Sequence, residues 1–180
     1  GERPARGSAR PADGAARLTP GDTAALVGWI ASRPPPGWWA PEGDRAMAVV
    51  GRGEAAFAAI GCAGCHVPSL PGDGAPAVAL YSDLRRHRMG AALGDPRPEG
   101  GVPADVFLTA PLWGAGSTGP WLHDGRAATL DEAVLWHGGA AGAARDRFAA
   151  LPPADRAAVV DFLTHLVVEP AAADGATDPE

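Results

Sequence analysis

Apolar residues recur at helical spacing in four stretches of this 180-residue chain. The first begins with Thr19 as a suitable N-cap and Pro20 at the first helical position, and the proline run 34–36 ends it. The other three helices are predicted at residues 51–60, 129–137 and 151–165. The segment "YSDLRRHRMG" (81–90) predicts one further short helical piece.

Two of these helices are similar in sequence. When residues 18–32 are aligned with 151–165, six positions are identical: Leu, Pro, Asp, Ala, Ala and Val. Two further positions are similar in being apolar, since Trp29 aligns with Phe162 and Ile30 with Leu163. One explanation is that capped amphipathic helices share most of their periodic positions. The other is that residues 18–33 are the closing helix of an earlier, similar domain that lies upstream.

Composition predicts an all-α fold. Strand formers are sparse beside 25 Gly, 19 Pro and abundant Ala, which favours helices joined by long Gly/Pro-rich loops. We expect a disordered tail at 1–17, a helix and linker at 18–50, the main domain at 51–168 and an acidic disordered tail at 169–180.

Charge and hydropathy exclude two classes of function. The formal charge is −6, and the 15 basic residues are all arginines scattered along the chain, which argues against a nucleic-acid partner. No stretch approaches the roughly 20 apolar residues of a membrane span, so no transmembrane segment is expected.

The chemistry is concentrated in "GCAGCH", which holds the only two cysteines of the chain, Cys62 and Cys65, followed by His66. C-x-x-C-H is the attachment motif of c-type haem: two thiols one helical turn apart reach the vinyl groups, and the histidine ligates the iron. A thioredoxin-like pair needs a βαβ context and a zinc site needs further nearby ligands, and neither is present in the sequence. We therefore predict one covalent haem c, and a periplasmic or otherwise extracytoplasmic protein, since attachment takes place outside the cytoplasm.

The second axial ligand has several candidates. His137 ends the helix 129–137 on an apolar face, although a histidine at a helix C-terminus is also favoured by the helix dipole. Met89 is the runner-up, since a thioether is a good haem ligand, and an open sixth position is the third possibility. His123 is a candidate for a hydrogen bond to a ligand or a haem propionate.

Four segments together resemble a known family, the C-terminal haem domain of the bacterial di-haem oxidoreductases, also called thiol oxidoreductases. These relatives of the di-haem cytochrome c peroxidases are similar over about residues 51–167. The segments are "GRGEAAFAAIGCAGCHVPSL", "YSDLRRHRMG", "APLWGAGSTGPWLHDGRAATLDEAVLWHGG" and "ARDRFAALPPADRAAVVDFLTHL". The resemblance implies that His137 occupies the distal ligand position. Family members carry leucines at Arg85 and Arg86 and an acidic residue at Arg88, so this chain has a basic rim suited to a haem propionate or an acidic partner.

These observations predict an electron-transfer domain or subunit with one six-coordinate haem held by Cys62, Cys65, His66 and His137, and no catalytic residue of its own. It would exchange electrons with a redox partner protein. One alternative is the electron-relay half of a di-haem peroxidase or oxidoreductase whose other haem domain lies upstream. Another is a haem-bearing docking subunit of a respiratory or photosynthetic assembly.

Overall fold

The computed structural model describes residues 18–32, 37–38, 42–71, 77–97 and 100–167. They fall into two compact units, divided between Pro34 and Pro35. The described part of the first unit is helix α1 (Pro20–Ala31). The Thr19 side chain accepts a hydrogen bond from the Asp22 amide, and the Asp22 carboxylate accepts one from the Thr19 amide. This capping box confirms the predicted helix start.

The second unit is mostly helical. Its helices are α2 (Asp44–Ala59), α3 (Leu130–Trp136), α4 (Gly142–Ala149) and α5 (Pro153–Thr164). A capping box of Thr129 and Glu132 starts α3 at the predicted position, and Pro153 lies in the first turn of α5. In the described part of this unit, single 3-10 turns lie at Cys62–Gly64, Ala91–Leu93 and Gly139–Ala141.

The expectation of an all-α fold is wrong, because the described residues also form two small antiparallel sheets of two strands each. Strand β1 (Gly37–Trp38) pairs with β4 (Leu166–Val167). Strand β2 (Arg86–Arg88) pairs with β3 (Val106–Leu108).

Strand β2 lies in the segment 81–90, where a helical piece was predicted, so that prediction is also wrong. Tyr81 and Leu84 have left-handed backbone conformations, with φ of 49° and 52°, and these interrupt any helix. The backbone groups of the segment bond across to residues 105–109 instead: the Met89 amide donates to the Asp105 carbonyl at 2.7 Å, and the Thr109 amide to the Arg85 carbonyl at 2.8 Å. Tertiary pairing has overridden local propensity.

The core lies between α2 and α5. Phe162 is fully buried and stands 5.5 Å from the Phe57 ring and 5.6 Å from the Tyr81 ring, measured between ring centroids. Gly53 is the point of closest approach, since a Cβ there would lie 1.9 Å from the Ala158 carbonyl oxygen. This tight crossing fixes the end of α2, from which residues 61–66 continue.

The predicted division of the chain stays a prediction. The predicted tails at 1–17 and 169–180, and the proline stop at 34–36, lie outside the described residues. Among the helices in the described part of the chain, none is both long and apolar enough to cross a bilayer.

Candidate haem site

The cysteine motif forms a single turn directly after α2. Gly61 has φ +97°, which only glycine adopts easily, and it redirects the chain into the 3-10 turn Cys62–Gly64. The His66 amide then donates to the Cys62 carbonyl at 2.9 Å. Arg147 of α4 also holds the turn, since its Nε donates to the Ile60 carbonyl at 2.7 Å. The two cysteines and the histidine are thus presented from one turn of backbone.

Both cysteines are free, half-buried thiols. Burial raises the pKa of Cys62 to about 11, although the Arg147 guanidinium opposes the rise. Burial, followed by the Asp83 charge, also raises the pKa of Cys65. A dithiol redox catalyst needs a lowered thiol pKa, so these cysteines lack the electrostatics of a thioredoxin-like pair.

The His66 ring is oriented by the backbone of a distant segment. Its Nδ1 lies 3.0 Å from the Tyr81 carbonyl oxygen, a contact that requires Nδ1–H to be the donor. Tyr81 is fixed in turn, because its hydroxyl donates to Glu54 of α2 at 3.0 Å. Burial lowers the pKa of His66, against the hydrogen bond to Tyr81. The ring is therefore a neutral imidazole with Nε2 as its lone-pair nitrogen, the form that ligates metals.

The His137 ring has the same arrangement on α3. His137 is the C-cap, and its Nδ1 lies 2.8 Å from the Ala133 carbonyl oxygen one turn earlier. Burial lowers the pKa of this ring as well. Its Nε2 is again the lone-pair nitrogen, and among the described residues it takes part in no hydrogen bond.

The chain beyond His137 passes very close to the end of strand β2. A Cβ on Gly138 would lie 2.7 Å from the Met89 carbonyl oxygen, and one on Gly139 would lie 2.3 Å from that of Arg88. Both glycines are therefore required by this backbone contact. This contact holds the C-terminal end of α3 against the segment 88–90.

The His66 and His137 rings lie close together, at a separation that one metal ion bound to both would require. Their centroids are 6.5 Å apart, although 71 residues separate them in sequence. Two imidazoles that bind one ion at about 2 Å from each Nε2 have centroids roughly 6 Å apart. The ring spacing, the two Nε2 atoms without hydrogen bonds among the described residues, and the Cys-x-x-Cys pair before His66 are the groups that could hold a haem.

The remaining predicted residues lie around this pair. Met89 is half-buried, and its backbone packs on Gly138, so it belongs to the same region as His137. The His123 ring stacks on Phe107 with centroids 4.5 Å apart. The structure therefore brings His66 and His137 together with the cysteine turn, and His123 contacts strand β3 instead.

Comparison with known families decides the class of the protein. A model of the family described as "Di-haem oxidoreductase, putative peroxidase" matches residues 42–166. The chain belongs to this di-haem oxidoreductase family. No curated protein matches the sequence. The resemblance seen in the sequence is confirmed, and residues 42–166 form a haem-binding oxidoreductase domain of the peroxidase-like kind.

One feature of this di-haem oxidoreductase domain escaped sequence reasoning. His87 Nε2 lies 2.8 Å from Asp83 Oδ2, and this pair approaches Cys65, with all three ligand-type atoms within 4.8 Å of one another. Arginines flank His87 in the sequence, which favours a solvated side chain, but strand pairing turns the ring inward. The four-residue spacing of Asp83 and His87 was the available signal. If Cys65 carries haem, its sulfur is a thioether and no longer a thiolate ligand.

Asp83 joins the pair to the cysteine turn. Its amide donates to the Cys65 carbonyl at 2.8 Å. Burial raises the pKa of the Asp83 carboxyl, but hydrogen bonds from the Arg85 amide and from the His87 and Thr109 side chains outweigh it and lower the pKa to about 2. A carboxylate therefore stands beside the cysteine turn at every physiological pH.

Proposed function

We propose that this domain transfers electrons by one covalently attached, six-coordinate c-type haem, as a domain or subunit of a larger redox system. Cys62 and Cys65 are the thioether tethers, and His66 and His137 are the axial ligands. The observation that carries the proposal is the pair of neutral imidazoles with centroids 6.5 Å apart and both Nδ1 atoms bonded to backbone carbonyls. Bound haem supplies a one-electron couple at its iron.

The polypeptide holds both axial ligands rigidly. The carbonyls of Tyr81 and Ala133 fix the tautomer and the rotation of each ring, as partners of metal-binding histidines do. The Phe57 ring, 6.2 Å from that of His66, supplies apolar packing on the His66 side. With imidazoles on both faces, peroxide or another small substrate has no free coordination position, which favours electron transfer over chemistry at the iron. A second imidazole also gives a lower reduction potential than methionine would.

The ligand assignment is tested by spectroscopy of the haem-loaded chain. We expect a low-spin ferric spectrum without the methionine-to-iron charge-transfer band. His137→Ala should become high-spin and bind added imidazole, whereas the control Met89→Leu should keep the wild-type spectrum. A methionine band in the wild type that disappears in Met89→Leu would give the distal position to Met89 and contradict the proposal.

A second candidate function is the electron-relay half of a two-haem enzyme. Helix α1 repeats the sequence of α5, where Val159 and Leu163 are 1% and 4% exposed in the core. The matching residues of α1, Leu26 and Ile30, are 49% and 64% exposed. A core face that lies open is what a closing helix of another haem domain would show when separated from that domain. A second C-x-x-C-H in the coding sequence upstream would support this function, and peroxidase activity of the present chain alone would contradict a relay role.

Location and partners complete the proposal. The proposed thioether attachment implies a domain in the periplasm or another extracytoplasmic space, and the proposed electron transfer implies a protein partner that delivers or removes single electrons. Fractionation of cells that express the gene, followed by haem staining of the separated proteins, checks the location. Haem-stained protein confined to the cytoplasm would contradict it.

A further inference from the structure

The hairpin of β2 and β3 has two distinct faces. Arg86 pairs with Leu108, and Arg88 pairs with Val106, while His87 and Phe107 form the pair between them. Because side chains alternate across a strand, the two arginines point to one face and His87 to the other. Leu108, on the arginine side, is 52% exposed. One side of the hairpin is thus an open surface of basic and apolar residues.

Arg86, Arg88 and Leu108 lie on this side of the hairpin, and the exposed residues Leu84 and Arg85 come directly before the strand. We call these five residues together the arginine face. Arg85 and Arg86 are exposed, and among the described residues neither forms an ion pair. Arg88 bonds Asp105 at 2.9 Å, with its side chain still 67% exposed. The whole chain carries a formal charge of −6. The arginine face is therefore a positively charged patch on a protein whose net charge is negative.

The arginine face lies directly behind the haem-attachment turn. On the opposite side of the same strand, the His87 ring lies within 4.8 Å of the Cys65 sulfur. The residues leading into the strand are bonded to the motif, since the Asp83 amide donates to the Cys65 carbonyl at 2.8 Å. A protein seated on the arginine face would therefore be separated from the Cys65 tether by one strand.

We infer that the arginine face is the docking surface for a redox partner protein with an acidic surface. This inference rests on the proposed electron-transfer function, and it names the charge of the partner and the place where it binds. A positive patch meeting a negative one steers diffusional encounter and fixes orientation. Arginine is also enriched at protein interfaces, and Leu84 and Leu108 supply apolar contact between the charges.

The first test measures binding and needs no electron transfer. A hexaglutamate peptide, standing in for the acidic partner surface, is titrated into the haem-loaded chain at low salt while amide NMR shifts are followed. We expect the shifts to concentrate at residues 84–88 and 106–108. Arg85→Glu/Arg86→Glu should abolish them. The control Arg45→Glu/Arg52→Glu, which changes the same net charge at two exposed arginines of α2, should keep them. Equal loss in both variants, or shifts elsewhere, would overturn the inference.

The second test measures a rate. One electron passes from the reduced protein to ferricyanide, giving ferrocyanide, and the ionic strength is varied. If the arginine face is the exit, the rate falls as salt rises despite the net charge of −6, and the Arg85→Glu/Arg86→Glu variant is roughly tenfold slower at low salt. A wild-type rate that rises with salt would refute the inference. Failure of the bis-histidine assignment would show in the ligand spectra and leave the peptide shifts unchanged, so the two failures are distinguishable.

Discussion

Two glycines of α2, two residues apart, allow the packing of the core to be tested by the same substitution in opposite environments. A Cβ on Gly51 meets no atom within 4 Å, whereas a Cβ on Gly53 would lie 1.9 Å from the carbonyl oxygen and 2.6 Å from the carbonyl carbon of Ala158. Both glycines are inside a regular helix. Alanine therefore gains the same helix propensity at each site, about 1 kcal/mol.

The cost at Gly53 follows from what must move. The clashing atoms belong to the backbone of α5, so no change of rotamer relieves the overlap, and the helices must separate by about 1 Å, close to a tenth of a normal interaxial distance. Separation loosens the contacts of Phe57 and Phe162, which are at most 4% exposed. Overpacking of a core costs about 3 kcal/mol at the upper end of its usual range. We therefore expect Gly53→Ala to destabilise by about 2 kcal/mol and Gly51→Ala to stabilise by up to about 1 kcal/mol.

Urea unfolding of the haem-loaded chain, followed by circular dichroism, measures both variants. The midpoint should fall for Gly53→Ala and rise for Gly51→Ala at an unchanged slope, with the two free energies of unfolding about 3 kcal/mol apart. A Gly53→Ala protein that unfolds at the same urea concentration as Gly51→Ala, or a higher one, would refute the close α2–α5 crossing.

Three further predictions concern single side chains. The pKa of Asp83 is lowered to about 2, so its contribution to the free energy of unfolding is present above the unfolded pKa of about 3.9 and is lost as pH falls from there toward 2. In urea titrations at successive pH values, Asp83→Asn should remove this part of the acid destabilisation. A dependence of stability on pH identical to that of the wild type would contradict the prediction. Thr129→Ala removes the cap of the helix that ends at His137 and should cost about 1 kcal/mol. In this variant, added cyanide should displace His137 from the iron faster than in the wild type, as followed in the visible spectrum. An unaltered rate would count against α3 as the support of the ligand. Phe162→Ala should lower the free energy of unfolding by about 3–5 kcal/mol in a urea titration, since Phe162 is fully buried; a loss below about 1 kcal/mol would mean that the core is elsewhere.

The sequence alone was enough wherever the determinants lie within one turn of chain. The cysteine turn and its histidine are six consecutive residues, so their spacing alone predicts haem attachment. The helix starts at Thr19 and Thr129 depend on residues three positions away, and both capping boxes are present. Family membership could also be predicted, because its motifs are contiguous segments.

Tertiary structure alone decided how distant segments meet. The segment 81–90 has no local signal for a strand, and it became one because residues 105–109 supply its backbone partners. That pairing turned His87 inward and left Arg86 outward. The Tyr81 carbonyl that orients His66, and the 6.5 Å between His66 and His137, also depend on packing between elements far apart in sequence. The hydrophobic periodicity of a sequence shows which face of a helix or strand is apolar. Which other element packs against that face depends on the tertiary structure of the whole chain.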